Sequence, residues 1–194
     1  MSPERALLFF KGDIMILEKI GNYTYVLKNC RTVFENFSGR KTRYNKEGDR
    51  NFCVRIDDPA IAQELMNDGF YISKLNKLDE DSPDEWKLKI SIGYKPTQNN
   101  DVSPKDPKIK EIIGGTPVEL TRHSINALDD MRIEKAIVEF NKWNYDKTDP
   151  TKFSAWLQRG KFWVIDDWFT EDESFTNASG MIPDVELDEE NIPF

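Results

Sequence analysis

Apolar and polar residues alternate with a period of two along much of this chain, the pattern of half-buried strands. The longest such stretch runs from Tyr23 to Phe34 and is rich in β-branched and aromatic residues. Asn51–Ile56, Phe70–Leu75 and Trp86–Tyr94 predict three further strands, and Lys108–Ile113 and Thr116–Thr121 two shorter ones. Gly114-Gly115, between the last two, reads as a turn. From Arg132 to Tyr145, Ala136, Val138 and Phe140 alternate with Lys135, Glu139 and Asn141, which favours a strand. Ile137 and several good helix formers keep a helix as the alternative there. Beyond the turn at Asp146–Pro150, Phe153, Ala155 and Leu157 alternate into Phe162–Ile165.

Helical signals are few. Asp58 suits an N-cap, Pro59 a first helical position and Gly69 a stop, so a short helix is expected over Pro59–Met66. Ser124–Asp130 suits a helical turn, and the segments 36–49, 79–85 and 96–107 are polar loops. About eight short strands with one or two small helices make a mainly β chain, either a sandwich or a small closed barrel. Met15-Ile16-Leu17-Glu18 is a second plausible start, which would make the first 14 residues a dispensable extension.

Charge changes this picture. The 194-residue chain carries a net charge of -8, which alone argues against binding a polyanion. Residues 166–194, however, hold ten carboxylates and no Lys or Arg, leaving residues 1–165 with 27 basic against 25 acidic side chains, a net +2. The body is mildly basic, and the acidity belongs to the C-terminal stretch. That stretch buries too little apolar surface to order itself and is expected to be a disordered tail. It ends on Ile192-Pro193-Phe194, a compact apolar hook whose proline limits the entropy lost on docking. No apolar run approaches the roughly 20 residues of a membrane-spanning helix. A cytosolic setting without membrane contact is therefore expected, with Cys30 and Cys53 as reduced, buried thiols.

The stretch 31–52 interleaves Arg31, Arg40, Lys41, Arg43, Lys46 and Arg50 with Phe34, Phe37, Tyr44 and Phe52. Single-stranded nucleic acid needs this mixture, cations along the phosphates and rings under the bases. Phe34 and Phe52 are the most core-like of these rings, and Tyr44, in a polar loop, has the best claim to stacking. A second aromatic group comprises Trp143, Tyr145, Trp156, Phe162, Trp163 and Trp168. Core packing explains most of it, but Trp143 and Trp156 could face one another across the turn and add to the groove. Catalytic chemistry is thinly supplied. His123 lacks a nucleophile partner, and one histidine with two cysteines cannot build a zinc site of the usual spacing. The acids Asp57, Asp58, Asp84 and Glu85, which a metal-dependent nuclease would need, read as a solvated face. No enzyme activity and no cofactor are expected.

Asp188-Glu189-Glu190-Asn191-Ile192-Pro193-Phe194 resembles the acidic C-terminal tip of bacterial single-stranded DNA-binding proteins, with Asn191 where aspartate is common. Asn36-Phe37-Ser38-Gly39, Tyr44-Asn45, Gly48–Val54 and Asp58-Pro59 look like a family of phage and mobile-element single-stranded DNA-binding proteins. That resemblance implies an OB-fold over 21–168, with residues 1–20 an extension or first strand, 169–194 the acidic tail, and the helix at 59–68 a decoration. It further implies a sequence-nonspecific single-stranded DNA-binding protein serving phage replication or recombination in the cytoplasm of a bacterial host. DNA would be held by Arg31, Phe37, Arg40, Lys41, Arg43, Tyr44, Lys46, Arg50, Trp143 and Trp156. Asp188, Glu189, Glu190, Ile192, Pro193 and Phe194 would recruit replication or recombination proteins, while the tail's acids compete with DNA. The rival reading is an acidic interaction protein or DNA mimic that inhibits a host DNA-binding enzyme.

Overall fold

A computed structural model of the chain describes residues 14–77 and 79–165. The tail tip and Trp168 lie outside the described residues. Among the described residues nine strands form: β1 (Ile16–Ile20), β2 (Thr24–Asn36), β3 (Arg50–Ile56), β4 (Ile72–Lys74), β5 (Trp86–Ile92), β6 (Lys108–Ile113), β7 (Thr116–Leu120), β8 (Arg132–Asn144) and β9 (Phe153–Ile165). One α-helix, α1 (Pro59–Asn67), and a 3-10 turn at Ile125–Asp130 complete the set.

Five of the strands close a barrel. β2 pairs with β3, β3 with β5, β8 with β9 and β8 with β2, all antiparallel, and a short parallel pairing of β5 with β9 shuts the ring. This is an OB-fold. Of the two architectures open to the sequence, the barrel is correct, and residues 132–144 are strand rather than helix. β1 extends the sheet beside β2, β4 beside β5, and the β6–β7 hairpin beside β9. Gly114 and Gly115, at φ 54° and 85°, form the two-residue hairpin turn that favours positive φ at both positions.

β2 makes closure possible by changing partners along its length. Its first half lies between β1 and β8, and its second half pairs with β3. Register shifts fall between Leu27 and Cys30 and between Val33 and Asn36, with Asn29 and Phe34 at φ 55° and 57° inside them. Such bulges bend a strand and sharpen its twist, as a small barrel requires.

The interior is filled from both ends. Phe37 stacks on Phe52 at 5.4 Å between ring centroids, and Phe162 meets both edge-on. Tyr25, Phe70 and Phe140 form a second cluster at 5.1–5.6 Å. The 3-10 turn inserts Ile125 and Leu128, and α1 packs Ile61, Ala62 and Leu65. Asp58 caps α1 through a 2.8 Å bond from the Ala60 N–H, and Gly69, at φ 90°, follows its end. Cys30 and Cys53 are buried free thiols.

Candidate nucleic-acid interface

Residues opposite one another in a sheet share a face, so the register locates the outer surface of β2, β3 and β5. Arg31 pairs with Arg55, and Arg55 with Lys87, placing three cations in one row across three strands. The next row is Val33, Cys53 and Lys89, and the third brings Asn36, Asn51, Ser91 and Trp156 into line. Of the four cations, Arg55 is hydrogen-bonded to the Glu85 carboxylate, and Lys89 donates to Asn45 Oδ1 at 3.3 Å. Arg31 and Lys87 form no ion pair among the described residues, although Lys87 Nζ lies 4.6 Å from the centroid of the Phe34 ring. Like charges directly opposite destabilise a sheet, so the row is a local cost that an anion would relieve. Burial pushes the Cys53 thiol up, against the opposing pull of Lys87 and Lys89, leaving a neutral thiol between them rather than a nucleophile.

The loop 37–49 is a braced arm over this face. Its start is fixed by the buried carboxylate of Asp129, which accepts from the N–H groups of Phe37 at 2.6 Å and Ser38 at 2.9 Å. Its ends are clipped by Asn36, whose side chain accepts from the Arg40 N–H and donates to the carbonyls of Arg40 and Asp49. Asn45 reaches down, with its Oδ1 accepting from Asn51 Nδ2 at 2.9 Å. Tyr44 is left 84% exposed, with the Arg43 guanidinium 5.8 Å from its ring centroid.

Across the seam, Trp156 is held flat. Its ring lies where a Cβ on Gly93 would come within 2.6 Å, and its Nε1 donates to Ser154 Oγ at 3.0 Å. Trp143 pairs with Ser154 and Asn141 with Trp156, so the two tryptophans are diagonal neighbours rather than facing partners. Both are exposed.

The sequence-derived list therefore divides. Arg31, Arg40, Lys41, Arg43, Tyr44, Lys46, Trp143 and Trp156 are exposed. Arg40 is also tied to Ser38 Oγ and lies 3.6 Å from Asp129. Phe37 is a correction: it is fully buried, because the Asp129 bonds turn the chain so that its ring enters the barrel. Arg50 is half-buried and turned to a structural task, donating to the Arg122 carbonyl at 2.8 Å and lying over Tyr94. Phe34 corrects the opposite expectation; its positive φ throws a core-like ring out to 61% exposure. Arg55, Lys87, Lys89, Tyr71 and Tyr145 were missed, since only the pairing of β3 with β5 and of β5 with β4 and β9 brings them together. Of the acids once set against a metal, Asp58 caps α1, Asp84 pairs with Lys74 and Lys77, and Glu85 binds Arg55.

A barrel of this closure, with cations and rings on its β3–β5 face and loops at the rim, is the arrangement by which OB-folds bind oligonucleotides. Residues 18–190 match the model of the family described as "Putative phage ssDNA-binding domain". The chain belongs to this family. Among solved structures it is similar to the single-stranded DNA-binding protein from bacteriophage Enc34 in complex with ssDNA, at 11% identity and a TM-score of 0.44, covering 80% of this chain and 98% of that one. The same phage protein without DNA matches at 9% identity and a TM-score of 0.44, covering 82% and 95% of the two chains. Its C-terminal truncation matches at 10% identity and 0.42, covering 79% and 96%. No curated protein matches the sequence. The family match spans the whole barrel and every cation and ring of the face described above.

Proposed function

We propose that this phage-family barrel binds single-stranded DNA without sequence preference, along the outer face of β2, β3 and β5 and over the seam to β9. The observation that carries the reading is the row Arg31–Arg55–Lys87, in which Arg31 and Lys87 lack carboxylate partners among the described residues, beside exposed rings on both sides. Cations in register neutralise phosphates, and Tyr44, Trp143 and Trp156 offer π-faces to bases, a combination that tolerates any sequence. The protein acts in phage replication or recombination. Asp188, Glu189, Glu190, Ile192, Pro193 and Phe194 recruit partner proteins, and the ten carboxylates of 166–194 compete with DNA for the basic face.

Titration of a fluorescent oligothymidylate against a matched duplex tests the binding. Preference for the single strand is expected, with affinity falling about 0.7 log units per log unit of salt for each phosphate neutralised. Deleting residues 170–194 should tighten binding at low salt; unchanged or weaker binding would remove the competition role. An acidic mimic would bind neither oligonucleotide, and that outcome would overturn the proposal.

A further inference from the structure

The free edge of β5 is shared between two strands. β4 occupies its first half, from Ile72 opposite Leu88 to Lys74 opposite Trp86, and β9 its second, at Ile90–Ala155 and Ser91–Trp156. Between them the ladder is interrupted. A cavity of about 210 Å³ opens there on the outer surface, lined by Tyr71, Lys89, Ser91, Tyr145, Phe153 and Ser154 among others. Tyr71 and Tyr145 are exposed by 74% and 55%, and neither ring has a ring or cation partner among the described residues.

Tyr71 reaches this seam because the segment after α1 is stitched to the start of β9. Phe70 forms an isolated bridge with Phe153, whose N–H donates to the Gly69 carbonyl at 3.0 Å. Gly69 sits at φ 90°, and a Cβ there would collide with the Thr151 carbonyl oxygen. The close approach thus depends on glycine.

Resting on the single-strand reading above, we propose that the α1–β4 insertion builds a slot for one unpaired nucleobase at the β5–β9 seam, with Tyr71 and Tyr145 as its aromatic walls. The cavity is below the 300–1,000 Å³ of pockets for drug-sized ligands and matches a single ring system. Ser91 supplies a hydroxyl with no partner among the described residues, and Lys89 places a cation beside the slot for the adjoining phosphate. A base enters only when it is unstacked and unpaired, so the slot selects single strands over duplex.

The test is a cycle between the ring and the bases. Wild type, Tyr71→Ala and Tyr71→Phe are titrated with oligothymidylate and with an abasic oligomer of equal length, which keeps the phosphates and lacks every base. Tyr71→Ala should weaken binding to oligothymidylate by about fivefold to 150-fold, the worth of one base–aromatic stack, and leave abasic affinity unchanged. Tyr71→Phe should behave as wild type on both. Equal losses on the two oligomers, or none on either, would overturn the slot while leaving single-strand binding intact. Failure of the wild-type chain to bind any oligomer would instead remove the binding function, and the slot with it.

Discussion

The cation row makes a prediction in which folding and binding move in opposite directions. Arg31 faces Arg55, which faces Lys87, and the carboxylate hydrogen-bonded within this row is that of Glu85 on Arg55. Opposed like charges cost a sheet about 0.2–1 kcal/mol; Arg31 is exposed and Arg55 partly neutralised, so the lower half of that range applies. Arg31→Thr, which keeps a good strand former, should therefore raise the stability of the free protein by a few tenths of a kcal/mol, read by urea unfolding. The same change should reduce the salt slope of oligothymidylate binding by about 0.7. Over a fourfold change in salt that corresponds to about 2.6-fold less loss of affinity than in wild type, within reach of anisotropy titrations. Lys28→Thr is the control. Lys28 lies on the same strand but is bonded to Glu18 rather than to the row, and the slope should not change. An Arg31 variant with an unaltered slope touches no phosphate, and one that is less stable than wild type shows no repulsion to relieve. Either result refutes the reasoning.

Phe37→Ala empties a fully buried site between Phe52 and Phe162 and should cost about 3–5 kcal/mol of stability, whereas Tyr44→Ala should stay within about 0.5 kcal/mol by denaturant titration and weaken oligonucleotide binding. A Phe37 variant that keeps its stability but loses DNA would restore the stacking role denied to it above. Glu111 lies buried on β6 with an Oε2 lacking a hydrogen-bond partner among the described residues, and burial pushes its carboxyl above the usual range. Because the folded pKa is the higher one, its contribution is most favourable below the ordinary glutamate value and is lost as pH rises through the raised one. Glu111→Gln should then stabilise the fold at neutral pH and flatten that part of the stability–pH curve; an unchanged curve would contradict the assignment.

Local chemistry made the elements legible. Alternation exposed the strands, Asp58-Pro59 and Gly69 bounded the helix, and Gly114-Gly115 marked a hairpin turn. The site was harder to read, because its residues come together only through pairing across distant segments. Arg55 and Lys87 are separated by 31 residues and meet by register, and no spacing in the chain announces them. Phe34 and Phe37 exchanged their expected places for physical reasons. A bulge at positive φ rotates Phe34 outward, and two hydrogen bonds to Asp129, some 90 residues away, rotate Phe37 inward. The helix read as a decoration carries a consequence of the same kind, since only the approach of Gly69 to Thr151 places Tyr71 at the seam.

Several of these departures from local rules fall on the candidate binding face. Elsewhere several charges are paired: Lys19 with Glu64 and Asp68, Lys74 and Lys77 with Asp84, Arg122 with Asp106, and Lys152 with Asp146 and Asp149. Arg122 and Asp106 are almost wholly buried. Burial opposes the Asp106 charge most, but the Arg122 hydrogen bonds, the Ser103 N–H and the charges of Arg122 and Lys108 together outweigh it and hold the carboxyl below the usual range. On the β2–β3–β5 face and its seam with β9, by contrast, like charges oppose one another, a phenylalanine occupies the left-handed region, and several large rings lie open to water. Opposed cations and exposed rings on this face, against the stability of the free fold, are the physical argument that it suits a flexible chain carrying both anions and aromatic faces.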